Sequence, residues 1–230
     1  MKVTMVGGLS SCYLLTYETT PARLAEHLPV GLSPQVQNGR AHWGIVLSIV
    51  DKMRPKHSPR WTGSTYTHLA LRAYVEATDA KGSKHEGLYF LRSDVNSKLM
   101  ALGGNVMTDF KFNASKISWR EDDAGLDVEL RTKDERRDAV VVLRADWKAD
   151  LMRDHLAYEP WGLSPTRSGR KLRLAEVRRD ETRWKETPMR VEKAEWQHLA
   201  ELDPRARLVS ATRVSPLPYE WRIGQTVRLA

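Results

Sequence analysis

The residues LYFLRSDVNSKLMALGGNVMTDFKF, from Leu88 to Phe112, are the stretch around which the chain is organised. An apolar run from Leu88 to Leu91 predicts a strand, and this strand leads into a cluster of alternating polar residues. A short helix-like segment follows, then a break at Gly103-Gly104, and a second strand is predicted from about Val106. Loops at strand ends often carry binding groups on a rigid scaffold, so this stretch also supplies candidate site residues: Arg92, Asp94, Asn96 and Lys98.

Length and composition indicate a single globular domain spanning residues 1–230. With 230 residues, of which 41% are hydrophobic, the chain can bury a substantial core. The single cysteine, Cys12, excludes an internal disulfide and a cysteine-based metal cage, which fits a reducing compartment. No apolar run approaches ~18 residues, and the first residues lack the apolar core of a secretory signal. We therefore expect a cytoplasmic protein without a membrane partner.

The charge of the chain is positive but mixed along the sequence. A net charge of +8 and a pI near 9.6 favour anionic partners. Acidic residues interrupt the basic runs at 131–138 and 178–186, which is typical of solvated faces, and no spacing of a known nucleic-acid-binding motif is present. We therefore expect a small-molecule ligand rather than nucleic acid. The eight tryptophans are compatible with a homo-oligomer, although we expect them to fill the core and ends of the fold.

Capping and turn residues place the first elements. Thr20-Pro21 predicts an N-cap followed by proline at the first position of a short helix that ends by Pro29. Asn38-Gly39 predicts a hairpin turn into a strand from Arg40 to Val50. The segment from Asp51 to Ser64 contains two prolines and predicts a long loop, a kind of segment that is often functional.

The next strand, from Tyr66 to Glu76, alternates strictly between two faces. One face carries Leu69 and Leu71 and is predicted to pack into the core, whereas the other carries His68 and Arg72. If the second face lines an enclosed space, an imidazole and a guanidinium converge there, and the guanidinium suits a carboxylate. If it faces solvent, both are ordinary surface residues. The sequence leaves these two alternatives open.

The later elements favour an antiparallel β fold. Residues 161–169 are predicted to form a second long loop. The segments 170–178 and 184–192 are predicted to pair around a polar turn, and a proline-limited tail is predicted after 214. Further strands are predicted at 115–120, 126–132, 139–147 and 208–214, and helices at 148–156 and 194–202. Many short strands with few helices predict a mainly β (β-rich α+β) fold, an antiparallel barrel or sandwich. A barrel of this size can enclose a ligand cavity.

Known catalytic and metal-binding motifs are absent. The seven histidines show no HxH or HExxH spacing, so no metal site is expected. No Walker loop, GxGxxG or GxSxG occurs, and no cofactor is expected. Cys12 lies in an apolar strand and is predicted to be an inert buried thiol. The cluster around Arg92 and Asp94 is either part of a site or a surface salt-bridge cluster.

Four segments together carry a resemblance to a known family: residues 24–46, residues 69–76, residues 90–112 and residues 162–177. In order and spacing they resemble the DUF2071 (YqjF-like) family of uncharacterised bacterial proteins, which is related to the acetoacetate decarboxylase-like β-barrel superfamily. The resemblance covers nearly the whole chain. It implies one β-rich barrel with an internal pocket.

The resemblance does not carry over the decarboxylase mechanism. Acetoacetate decarboxylases form a Schiff base with a lysine in a Gly-aromatic-Pro-Lys-Lys motif, where a neighbouring ammonium and desolvation lower the pKa of the nucleophile. The segment here that is similar to this motif is 103–107, and its two lysine positions hold Val106 and Met107. A valine cannot form an imine. A carboxylate that the superfamily has in the strand 66–76 falls at His68.

The sequence therefore leads to two hypotheses. The first is a small-molecule-binding barrel for a small anionic or keto-type compound, without Schiff-base chemistry. The alternative is a lyase or hydratase of the acetoacetate decarboxylase-like superfamily that uses His68 as acid or base, or a relocated lysine such as Lys98. The predicted ligand-binding residues are His68, Arg72, Arg92, Asp94 and Asn105.

Overall fold

Fourteen strands and three short helices make up the part of the chain that the computed structural model describes, which is residues 3–132, 134, 136–145, 159, 161–166 and 168–230. The strands are β1 (Val3–Thr19), β2 (Ser33–Pro34), β3 (Ala41–Pro55), β4 (Ser64–Thr78), β5 (Lys84–Val95), β6 (Phe112–Ala114), β7 (Lys116–Glu121), β8 (Gly125–Arg131), β9 (Arg137–Ala145), β10 (Trp161–Pro165), β11 (Lys171–Arg179), β12 (Glu186–Trp196), β13 (Arg207–Val214) and β14 (Leu217–Arg228). The helices are α1 (Pro21–Ala25), α2 (Lys98–Met107) and α3 (Gln197–Leu202). The predicted mainly β fold is confirmed.

Seven of the strands form a closed ring. Going round it, β1 pairs with β3, β3 with β4, β4 with β5, β5 with β10, β10 with β11, β11 with β14, and β14 again with β1. All of these pairs are antiparallel except β5 with β10. Strand β1 belongs to both the ring and a second sheet: residues 3–9 pair with β14, and residues 12–18 pair with β13. From β13 a second sheet continues through β12, β9, β8 and β7.

The barrel wall separates two hydrophobic cores. On one face of β4, Leu69 and Leu71 pack with residues of the second sheet such as Leu126. On the other face, Ala70 and Tyr74 pack inside the barrel with side chains from β5 and β14. This is the alternation predicted for the strand from Tyr66 to Glu76, and it is confirmed.

Local capping and turn signals are also confirmed. The Thr20 side chain accepts a hydrogen bond from the backbone nitrogen of Arg23 at 3.3 Å, at the start of α1. At the turn before β3, Asn38 and Gly39 have φ values of 50° and 75°, the left-handed conformation that a tight hairpin turn requires.

The predicted break at Gly103-Gly104 and the predicted strand from Val106 are wrong. Helix α2 continues through both glycines to Met107, and the next strand, β6, begins only at Phe112. A Cβ at Gly104 would collide with the ring of Phe112. This glycine therefore permits close helix packing rather than a turn.

Several predictions failed where distant strands complete the sheet. The predicted loop 51–64 begins as strand, because β3 runs to Pro55 through an irregularity at Lys52, which has a φ of 50°, and only residues 56–63 connect β3 to β4. The predicted loop 161–169 contains β10, and the predicted tail is β14, the strand that closes the barrel. The segments 170–178 and 184–192 are not partners, since β11 pairs with β10 and β14 whereas β12 pairs with β9 and β13. The predicted helix 148–156 lies outside the described residues.

No helix in the described part of the chain is both long enough and apolar enough to cross a membrane.

Candidate functional site

The inside of the barrel contains a cavity of about 70 Å³. Most of its wall is apolar, formed by side chains such as Val46 and Val50 of β3 and Phe90 of β5. A small polar group faces it from three neighbouring strands: Cys12 of β1, Ser48 of β3, and His68 and Arg72 of β4. The inner face of β4 thus lines an enclosed space, which is the first of the two alternatives that the sequence left open.

Arg72 is a buried cation that forms no ion pair with the described residues. Only 8% of the residue is exposed, and its Nε atom has no hydrogen-bond partner. No ion pair joins its guanidinium to any carboxylate in the described part of the chain. Gly44, opposite Arg72 on β3, leaves room for the guanidinium, since a Cβ there would lie 3.6 Å from Nη2 and 3.1 Å from the ring of Tyr74. Removing a charge from water without a partner costs several kcal/mol, so a bound anion would be strongly favoured here.

His68 lies on the same face, four residues before Arg72. It is 5% exposed, and its Nε2 atom is buried without a hydrogen-bond partner. Burial, together with the nearby charge of Arg72, lowers the pKa of His68 to about 3. At neutral pH the ring is therefore uncharged, and Nε2 is able to donate or accept one hydrogen bond, depending on the tautomer.

Cys12 faces the cavity as a protonated thiol. It is 2% exposed, and burial raises its pKa to about 12, although the positive charges of Arg72 and Arg179 oppose the shift. The thiolate that would act as a nucleophile is scarcely populated at neutral pH. No group of His, Cys, Asp and Glu able to hold a metal occurs among the residues with described positions.

The other polar side chains around the cavity already have partners. The guanidinium carbon of Arg179 lies 3.2 Å from the ring centroid of Trp184, and its Nε is 3.2 Å from Glu181 Oε1. The indole nitrogen of Trp184 donates to Glu186 at 2.7 Å. Arg72 and His68 are consequently the cavity groups best placed to interact with a ligand.

Arg92 and Asp94 lie on the opposite face of the barrel wall and do not line the cavity. In the β4–β5 pairing, Arg72 is opposite Phe90 but Leu71 is opposite Arg92, so one residue of β5 forms a bulge. A one-residue shift moves every following side chain to the other face. Without this bulge, simple alternation would place Arg92 with Phe90, inside the barrel.

The two charged residues instead form a buried network between the layers. Asp94 is 0% exposed, and its Oδ2 is 2.7 Å from Arg92 Nε. Ser115 donates to Asp94 Oδ1 at 2.6 Å, and Arg92 Nη1 is 2.9 Å from Oδ2 of Asp138. These contacts give Arg92 and Asp94 a role in joining β5 to the second sheet.

Asn105 and Lys98 also lie away from the cavity. Asn105 Nδ2 donates to the Phe112 carbonyl oxygen at 2.8 Å, and Asn105 Oδ1 accepts from the Phe112 nitrogen at 2.7 Å, which ties α2 to β6. Lys98 is exposed at the start of α2, and Val106 near its end is 78% exposed. Among the described residues that line the cavity, none is a lysine.

Sequence reasoning missed several cavity residues. Ser48 follows from the alternation of β3, because it shares a face with Val46. Phe110, Arg179 and Trp221 carried no comparable signal. They reach the cavity through a loop and through strands whose place in the barrel depends on long-range pairing.

Comparison with known proteins gives one family and one fold. The family model DUF2071, described as an uncharacterized conserved protein, matches residues 8–220. No curated protein matches the sequence.

Solved structures with 12–14% identity share the fold. One is an acetoacetate decarboxylase-like enzyme from Sphingomonas wittichii RW1, with 14% identity and a TM-score of 0.65, covering 99% of this chain and 93% of that one. A second is the acetoacetate decarboxylase of Legionella pneumophila, with 14% identity and a TM-score of 0.65, covering 98% and 87%. A third is the enduracididine biosynthesis enzyme MppR complexed with pyruvate, with 13% identity and a TM-score of 0.63, covering 99% and 90%.

Proposed function

The chain belongs to the DUF2071 family, with an acetoacetate decarboxylase-like fold, and we propose that it binds a small carboxylate or keto acid inside the barrel without forming a Schiff base. Arg72 holds the carboxylate, and His68 donates to or accepts from a second oxygen of the ligand. The observation that carries this proposal is a buried guanidinium that forms no ion pair with the described residues, beside an imidazole nitrogen that has no hydrogen-bond partner among them.

Electrostatics supports an anionic ligand. A guanidinium offers several N–H donors in a planar fork that matches the two oxygens of a carboxylate, and such charge-assisted hydrogen bonds are stronger than neutral ones. Inside the barrel they would form away from water, where electrostatic attraction is less screened. A bound carboxylate would thus offset the cost of burying Arg72.

The size of the cavity supports a small ligand. Its volume of about 70 Å³ is roughly half that of an engineered cavity of ~150 Å³ that binds benzene. A compound with about three to six non-hydrogen atoms fits this space, provided that the walls relax slightly on binding.

The proposed absence of Schiff-base chemistry is supported by two observations. The segment similar to the lysine motif holds Val106 and Met107, and the described lining of the cavity contains no lysine. Lys98, the relocated lysine considered from the sequence, is exposed at the start of α2.

A lyase or hydratase that uses His68 as acid or base is the second candidate, and the unpartnered Nε2 atom favours it. In the free protein the charge of Arg72 contributes to the lowered pKa of His68. An anion bound to Arg72 would neutralise that charge and raise the pKa of His68, so that the ring would gain proton affinity only in the complex. This enzyme candidate would bind the same ligand as the binding-protein candidate, through the same two residues, Arg72 and His68.

Fluorescence titration tests the binding proposal. Three tryptophans line the cavity, so titration with pyruvate or acetoacetate should change the emission of the wild-type protein. Arg72→Met should weaken binding at least tenfold, because loss of a charge-assisted hydrogen bond costs about 1.5–3 kcal/mol. Arg120→Met, which changes an exposed arginine of β7, should leave the affinity unchanged. Equal affinity in wild type and Arg72→Met would refute the proposal.

Borohydride trapping tests the proposed absence of a Schiff base. The protein is incubated with each keto acid and borohydride, and its intact mass is measured. We expect no added mass, because no imine forms that borohydride could reduce. A stable adduct on any lysine would contradict this part of the proposal. Measuring disappearance of the keto acid over time then separates simple binding from turnover through His68.

A further inference from the structure

The cavity wall contains the guanidinium of Arg72 and a set of packed aromatic rings, the apolar end, and we propose that the ligand is an aliphatic monocarboxylate with a short apolar tail, in preference to dicarboxylates and hydroxylated acids. This inference rests on the proposed function, since it assumes a carboxylate at Arg72. It adds the chemical class of the remainder of the ligand.

The apolar end is built from packed aromatic rings. The rings of Phe90 and Phe110 are stacked with centroids 4.1 Å apart at 22°, and Phe110 meets Trp221 edge to face at 6.4 Å. Tyr219 packs against Trp221 at 5.6 Å and 75°. These contacts fix the rings against one another, and all four residues line the cavity. An alkyl tail would bury its surface against them.

Polar groups on this side already make contacts with protein groups. Trp184 donates to Glu186, and the Nε of Arg179 pairs with Glu181 while its guanidinium lies over the ring of Trp184. Glu159 also lines the cavity and accepts a hydrogen bond from Gln35 at 3.2 Å. A second hydrophilic group on the ligand, placed on this side and away from His68, would have to lose its water and compete with these contacts for a partner.

The two effects differ in sign and are large enough to measure. Each additional methylene buried at the apolar end should raise affinity about fourfold. A buried hydroxyl or carboxylate without a partner should lower it about 5- to 150-fold. The affinity should therefore rise from acetate to butanoate and should stop rising when the tail exceeds the volume of the cavity.

A series of defined acids tests this inference by tryptophan fluorescence. Dissociation constants are measured for acetate, propanoate, butanoate, 3-hydroxybutanoate and succinate, with butanamide as the uncharged control. We expect butanoate to bind most tightly and to exceed 3-hydroxybutanoate and succinate by at least fivefold. Equal or tighter binding of succinate or 3-hydroxybutanoate would overturn the inference while leaving the proposed function intact. If butanamide binds as tightly as butanoate, the proposed function itself fails. If no acid of the series binds, the inference fails, and the titration with pyruvate and acetoacetate decides the proposed function.

A pair of valine variants provides a second, independent readout. Val46→Thr replaces a methyl group of the cavity wall with a hydroxyl, and the size of the side chain is nearly unchanged. Val75→Thr makes the same change on the opposite face of the barrel wall. We expect Val46→Thr to reduce about fivefold the ratio of the dissociation constant of 3-hydroxybutanoate to that of butanoate, and Val75→Thr to leave that ratio unchanged. Val50→Thr, also on the cavity wall, replaces Val46→Thr if that protein does not fold. An unchanged ratio in the cavity variant would contradict the inference.

Discussion

Replacing Arg72 with methionine should make the ligand-free protein more stable. Arg72 is 8% exposed and has no ion pair in the described part of the chain, so the native state bears the cost of an uncompensated buried charge. Methionine keeps an unbranched apolar stem and removes the charge. Replacing buried ionic groups with apolar ones of similar volume has stabilised other proteins by about 1–4 kcal/mol. For a chain of this length, we expect the midpoint of thermal unfolding to rise by about 3 °C for each kcal/mol.

Ligand should shift the difference in stability toward the wild type. At a free concentration of 100 times the dissociation constant, a ligand that binds only the native state adds about 2.7 kcal/mol to the free energy of unfolding. The wild-type protein should gain this amount, whereas Arg72→Met, which should bind at least ten times more weakly, should gain at most about 1.4 kcal/mol at the same concentration. The functional residue therefore reduces the stability of the empty protein and increases that of the complex.

Urea unfolding of wild type, Arg72→Met and the exposed control Arg120→Met, with and without butanoate, measures both effects. A loss of more than ~1 kcal/mol in ligand-free Arg72→Met would refute the reasoning. It would mean that the guanidinium stabilises the folded barrel through contacts with the protein and does not depend on a bound anion for a partner.

Three further predictions concern the buried groups around the cavity and the barrel wall. The native pKa of His68 is about 3 and that of an unfolded histidine is about 6.5, so below pH ~6.5 protons bind the unfolded state more strongly and lower the free energy of unfolding. Between pH 7 and pH 5, wild type should therefore lose about 2 kcal/mol more stability than His68→Gln, whereas the exposed control His57→Gln should behave as wild type. Equal pH dependence of stability in wild type and His68→Gln would contradict the assignment. Burial raises the pKa of Cys12 to about 12, so iodoacetamide at pH 8 should modify it only at the rate of unfolding, and rapid alkylation of the native protein, followed by intact mass, would show that the thiol is accessible. Asp203 accepts a hydrogen bond from the fully buried indole of Trp43 at 3.0 Å, so Asp203→Ala should lower the free energy of unfolding in urea by about 1–3 kcal/mol, and an unchanged value would show that water satisfies the indole.

The alternation of β4 was enough to predict one half of the site. A period of two places His68 and Arg72 on one face whatever the partners of the strand are. The sequence alone did not reveal whether that face was inside or outside, because this depends on which strands close the ring. The strand that closes it, β14, was predicted as a tail because Pro216 before it, Pro218 near its start and Gly224 within it obscured the strand pattern.

The other half of the predicted site was separated from the first by a bulge. Arg92 and Asp94 follow Phe90 at even spacing, so simple alternation puts all three on one face. The register shift in β5 turns the two charged residues toward the second sheet, where Asp94 is fully buried beside Arg92. A bulge of this kind leaves no clear mark in the residues that form it, and it becomes visible only in the pairing of the strands.

A crystal structure of the protein with butanoate tests the central claim most directly. We predict that the carboxylate will lie within hydrogen-bonding distance of the Arg72 guanidinium, with the alkyl chain directed toward Phe110 and Trp221. A carboxylate bound elsewhere, or a barrel interior closed by protein side chains with Arg72 paired to one of them, would contradict the account.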